Sequence, residues 1–150
     1  MTEASHRLSE RMGGDHEALD ARWQLFLQTS PADRSLREER YDAFRSGLTR
    51  HILLEEEVLF PRMLSEDLSQ RGLVDRLREE HRAILDVLAR LAERVAAGSG
   101  AVDDATAELE NVLGEHNARE EAYAYPWLDD HLSPSEVESS LRRLRPPDPA

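Results

Sequence analysis

Apolar residues recur three and four apart along most of the chain, and glycines and prolines gather in a few short stretches between those runs. A period near 3.6 predicts helices, and nothing alternates as a half-buried strand would. A first helix is expected from Asp15 to Gln28, ending before Ser30-Pro31, where Ser30 can cap and Pro31 can enter the next helix. The second is long and runs to about Leu59, where Pro61 perturbs it. The third starts near Gly72-Leu73 and stops at Gly98-Ser99-Gly100, and the fourth spans Asp103 to Asp130 with Pro126 in its last turns. Ser133-Pro134-Ser135-Glu136 has the form of a capping box for a short fifth helix.

Four such helices with short connections predict an all-α, antiparallel up-down-up-down four-helix bundle with a short extra C-terminal helix. The expected division is an N-terminal arm over residues 1–14, the bundle over 15–131, and the short helix with a frayed tail over 132–150. The inward stripes read His16, Leu19, Trp23, Phe26 in the first helix, and Phe44, Leu48, His51, Glu55, Val58 in the second. They continue with Val74, Leu77, His81, Ile84, Leu88, Leu91, Val95 in the third, and Leu109, Leu113, His116, Glu120, Tyr123, Trp127 in the fourth. Each helix therefore carries one histidine in its core stripe, and two of them add a glutamate one turn later.

Those polar residues are related to one another. The segment HILLEEEVLFP at 51–61 has the same skeleton as HNAREEAYAYP at 116–126, 65 residues further on. The same offset carries His16 to His81, Glu55 to Glu120 and Pro61 to Pro126, so the chain reads as two related helical hairpins. A rise of about 1.5 Å per residue brings all four histidines to one level of the bundle, with Glu55 and Glu120 on the faces of His51 and His116.

Composition narrows the chemistry. At 150 residues one domain with a real core is expected, and the absence of cysteine excludes disulfides, thiolate catalysis, iron–sulfur clusters and zinc ribbons. The net charge of −12 opposes nucleic-acid binding. No signal-peptide core and no long apolar run occur, which makes a cytoplasmic location the expectation and a membrane partner unexpected.

A lone core histidine or glutamate usually reflects one local hydrogen bond, but four imidazoles and two carboxylates in an apolar interior need neutralising. Two first-row metal ions meet that need: Glu55 and Glu120 can bridge them and the histidines divide two to each. About four protein donors per ion leave roughly two places for oxo, hydroxo, water or a small oxidant.

The combination H…HxxxEExxLFP…EH…HxxxEExxxYP resembles the hemerythrin-like, or HHE cation-binding, family of di-iron four-helix bundles over about residues 15–131. The resemblance implies His16, His51, Glu55, His81, His116 and Glu120 as ligands of two iron ions with a bridging oxo or hydroxo group. Oxygen-carrying members have a further histidine and an aspartate where this chain has Leu85 and Glu121, so the resemblance is closer to sensing or oxidant-handling branches. It implies binding or sensing of O2, peroxide or NO; a peroxidase-, catalase- or oxidase-type enzyme and an iron store or donor are the alternatives. Manganese or zinc can fill the same shell, and the oligomeric state is left open.

Among other residues, Tyr123 is the secondary candidate, placed to hydrogen-bond a ligand or coordinate iron, or else simply a core tyrosine. Tyr41 is weaker. Trp23, Phe60 and Trp127 are expected to keep the site dry, and Glu56 and Glu121 to orient imidazole N–H groups or lie on a solvated face. Asp20 and Asp86 carry the same ambiguity. His6 and His131 fall outside the repeat and are expected at the surface.

Overall fold

The computed structural model describes residues 7–146, and every regular element among them is helical. In chain order the α-helices are α1 (Leu8–Leu27), α2 (Arg34–Leu54), α3 (Phe60–Glu66), α4 (Arg71–Ala96), α5 (Asp103–Arg119), α6 (Tyr125–His131) and α7 (Pro134–Leu141). Between α2 and α3 the helix does not stop but widens into a π turn over Glu55–Leu59, and a second π turn over Glu120–Ala124 joins α5 to α6. The rods α2–α3 and α5–α6 therefore run without interruption through the two HxxxEE segments. In each, the peptide N–H five residues on closes the turn, Phe60 onto the Glu55 carbonyl and Tyr125 onto the Glu120 carbonyl. Pro61 and Pro126 follow at once, at the first turn of a new α segment, where a missing N–H costs least. Pro61 thus does not end the helix.

Ring contacts fix how consecutive rods pair. Trp23 meets Phe44 with centroids 4.9 Å apart and Phe26 meets Tyr41 at 5.2 Å, so numbers rise on α1 as they fall on α2. The pairs Arg90–Glu108 and Arg94–Asp104, both at 2.7 Å, do the same for α4 and α5. Gly47 lets α1 and α2 come close, since a Cβ there would stand 2.8 Å from Leu19 Cδ2. Gly98, with φ of 71°, makes the left-handed turn that closes α4.

Two apolar clusters form the core. One gathers Leu19, Trp23, Phe26, Tyr41, Phe44, Ile84, Leu88, Leu91 and Leu109; the other gathers Leu8, Met12, Leu59, Phe60, Met63, Leu77, Tyr125 and Leu128. Burying each large side chain contributes about 2 kcal/mol. Along every rod the candidate polar residues fall between members of the two clusters, as His16 does between Met12 and Leu19 and His81 between Leu77 and Ile84.

Helix α1 begins seven residues before its expected start, and Leu8 and Met12 are fully buried. The segment 8–14, expected as an arm, is therefore helix. No local cap announces it: Arg7 makes no side-chain cap bond, and Asp129 on α6 accepts instead from the Ser9 N–H at 2.9 Å. The expected short C-terminal helix is present as α7, with its Ser133–Glu136 capping box, and its Val137 and Leu141 enter the second cluster. His6 and most of the expected tail, residues 147–150, lie outside the described residues.

Candidate metal centre

The layer between the two clusters is where the repeat converges. His51, Glu55, His81, His116 and Glu120 are buried, Glu55 and Glu120 completely, and the His16 side chain is 8% exposed. The Nε2 atoms of His16 and His51 lie 3.1 Å apart. Glu55 presents one oxygen to each half, Oε1 at 3.0 Å from His81 Nε2 and Oε2 at 3.5 Å from His51 Nε2. Glu120 Oε1 lies 3.2 Å from His116 Nε2 and 3.4 Å from His16 Nε2. Two donor groups result, Glu55–His81–His116–Glu120 and His16–His51–Glu120, each with its atoms close enough to grip one cation.

The outer face of each imidazole is also arranged. Asp15 stands 2.7 Å from His51 Nδ1, Glu56 3.0 Å from His81 Nδ1, and Glu80 3.0 Å from His116 Nδ1. A carboxylate there fixes the proton on Nδ1 and turns the Nε2 lone pair inward. Glu80 is itself held by Arg119 at 3.1 Å and Glu56 by Arg78 at 3.0 Å. The fourth pair is looser, with Glu121 Oε1 3.7 Å from His16 Nδ1, which has no hydrogen bond among the described residues. These outer residues obey the 65-residue offset too, Asp15 with Glu80 and Glu56 with Glu121.

Electrostatics mark the layer as short of positive charge. Burial alone would push the His51 and His116 imidazoles down; Glu55 and Asp15 outweigh it for His51 and Glu120 for His116, which stand at about 10 and about 9. Burial would likewise raise Glu55, yet His51 and its hydrogen bonds hold it well below the usual carboxylate range. Protons on imidazoles balance the carboxylates here, a task that a bound cation takes over when it displaces them. Among the described residues Glu120 Oε2 is buried without a hydrogen-bond partner, as suits a carboxylate oxygen that a metal ion would take. The donor set fits two cations.

Tyr123 is not at this site. It is 63% exposed, because the π turn inserts an extra residue after Glu120 and rotates the following positions. The inward position passes to Tyr125, which is fully buried with its hydroxyl 2.8 Å from Glu55 Oε2 and 3.0 Å from Glu120 Oε1. Burial and these two carboxylates raise its phenol well above the ordinary value. Val58 is displaced from the centre in the same way, half-buried and packed at the edge of the second cluster. Tyr125 and the outer carboxylates Asp15 and Glu80 were missed by the stripe reading; the repeat, which pairs Phe60 with Tyr125 and Asp15 with Glu80, was the signal that could have found them.

The remaining candidates divide plainly. Tyr41 donates to the Leu88 carbonyl at 2.5 Å inside the first cluster, away from the centre. Trp23 and Phe60 are buried, and Phe60 stacks on His81 with centroids 5.5 Å apart. Trp127 is half-buried at the second cluster's edge, and exposed His131 stacks on it at 3.6 Å. Asp86 is exposed beside Arg90. Asp20 lines a cleft of about 290 Å³ whose walls include Leu19, Trp23, Phe44 and Leu113 and which reaches His16. No described helix is long and apolar enough to cross a membrane.

Comparison with known families agrees with this centre: the model described as the hemerythrin HHE cation-binding domain matches residues 4–128. The chain belongs to the hemerythrin HHE family. No curated protein and no solved structure shows significant similarity to it. The helical bundle and the buried His/Glu cluster able to hold metal fit a domain of that description.

Proposed function

We propose that this hemerythrin HHE chain is a non-haem di-iron protein of up-down-up-down form that binds or senses O2, peroxide or NO in the cytoplasm. His16, His51, Glu55, His81, His116 and Glu120 hold the two ions. The observation that carries this reading is the pairing of two donor groups through shared carboxylates, with Glu55 offering one oxygen to each half. Two iron ions bound there supply redox change and open coordination positions for a small oxidant.

The chain's own residues prepare that chemistry. Asp15, Glu56 and Glu80 keep the Nε2 lone pairs turned inward, and the apolar layers above and below keep bulk water out. Tyr125 holds its phenolic proton between Glu55 and Glu120. The cleft at His16 gives small molecules an approach. A net charge of −12 leaves polyanions out of the partners.

Stopped-flow spectra of the iron-loaded, reduced protein mixed with O2, peroxide or NO test the reading. A stable new spectrum with one of them supports binding or sensing, and no spectral change with any of them overturns it. A second reading, an oxidase- or peroxidase-type enzyme, draws on the size of the cleft, which exceeds what a diatomic molecule needs. Its mark is repeated decay of the new spectrum with consumption of an added reductant. Iron released on reduction would favour storage or delivery instead.

A further inference from the structure

The two hairpins match at the residues that would hold metal and differ at the aromatic residue beside them. Phe60 and Tyr125 occupy equivalent places in the repeat, each just before its proline. Phe60 lies nearly parallel to His81, at 18°, and offers that half only an apolar wall. Tyr125 offers the other half an oxygen. That oxygen stands 3.2 Å from both His16 Nε2 and His51 Nε2, 2.8 Å from Glu55 Oε2 and 3.0 Å from Glu120 Oε1.

Those four distances also suit hydrogen bonds one at a time, and it is their number around one oxygen that points to a ligand. First-row metals bind nitrogen and oxygen at about 2.1 Å, so donors at right angles around one ion stand about 3.0 Å apart. All four separations fall within about 0.2 Å of that spacing. The neighbours are spaced alike: His16 to His51 3.1 Å, Glu120 to His16 3.4 Å, and His51 to Glu55 3.5 Å. The phenol oxygen caps a ring of four polar atoms, one more than the three hydrogen bonds that a hydroxyl with one proton and two lone pairs can make.

Resting on the two-ion reading above, we propose that Tyr125 is a fifth protein ligand to the ion held by His16 and His51, so that the two ions are inequivalent. The ion held by His81 and His116, with Phe60 in the corresponding place, then has one protein donor fewer. As iron(III) binds, the phenolic O–H bond is exchanged for an O–Fe bond and the proton leaves to solvent. No electron is transferred in that step.

Iron-loaded, air-oxidised protein tests the assignment without any assay of activity. A phenolate bound to iron(III) gives a visible charge-transfer band, and resonance Raman excited in that band shows tyrosinate ring modes. Neither other tyrosine can supply them, since Tyr41 is spent on Leu88 and Tyr123 is exposed away from the centre. The expected result is a band with tyrosinate modes in the wild type, both lost in Tyr125→Phe with iron still bound. Phe60→Tyr should add a second phenolate and increase the band. Wild-type protein holding two irons per chain without tyrosinate modes overturns the assignment, even if Tyr125→Phe does not fold. Wild-type protein holding no iron overturns the two-ion reading itself, and the metal content measured alongside separates the two failures.

Discussion

Replacing Asp15 by alanine removes the carboxylate behind His51 and touches no atom that would meet the metal. The bond lost is short, 2.7 Å, between a His51 side chain 2% exposed and an Asp15 side chain 25% exposed. A hydrogen bond to a charged group contributes about 1.5–3 kcal/mol. Two considerations place the effect on metal binding at the lower end. Water reaches a quarter of Asp15 and can take its place, and in the metal-free protein the same carboxylate already helps keep a proton on His51. About 1.4 kcal/mol remains, roughly a tenfold loss of affinity for the first-row ion at the His16–His51 group. Titration of the metal-free protein with cobalt(II) or zinc(II) against a competing chelator reads this directly. Asp15→Asn should fall between wild type and alanine, because it keeps an acceptor and loses the charge. Asp86→Ala is the control, an exposed carboxylate paired with Arg90, and should stay within about twofold. Asp15→Ala binding within about twofold of wild type, with an unchanged melting curve, would refute the idea that these outer carboxylates set the imidazoles for a cation.

Two further outcomes follow from the structure. In the metal-free protein His51 and His116 stand at about 10 and about 9, above the ordinary 6.5, so their pairing with Glu55 and Glu120 stabilises the fold fully below about pH 6.5 and is lost as pH rises through 9 to 10. Melting temperature should therefore drop between pH 7 and 10 in stripped protein and much less in metal-loaded protein, whose imidazoles have already given up those protons; a flat or rising curve for the stripped form would contradict this. Tyr41→Phe should cost about 1 kcal/mol by denaturant titration, since it removes a buried hydroxyl bond to the Leu88 carbonyl and leaves the packing with Phe26 in place. It should leave metal content unchanged, because Tyr41 lies inside the first cluster, away from the centre.

How far the sequence reached depended on how local each signal was. That six polar side chains gather in one layer of the core was legible because histidine and glutamate interrupt apolar stripes, and because a 65-residue offset repeats the interruption. The start of α1 was not: Leu8 and Met12 are a weak periodic signal broken by Gly13-Gly14, and the cap that begins the helix comes from Asp129, 120 residues away. Tyr125 was hidden by a change of period, since a stripe counted at 3.6 residues per turn points to Tyr123, and only the wider turn after Glu120 brings position 125 inward. Asp15 and Glu80 sit one residue off the inward stripe, where a carboxylate looks like ordinary helix surface until the partner helix supplies an imidazole.

The central claim is that a buried layer of duplicated histidines and glutamates grips a pair of metal ions. Metal analysis by ICP-MS of the chain expressed in iron-supplemented medium tests it most directly. The account predicts close to two iron ions per chain, a sharp fall in His51→Ala and in His116→Ala, and no change in His131→Ala. Freshly isolated wild-type protein with metal content near zero, or with content that those two core substitutions do not lower, would contradict it.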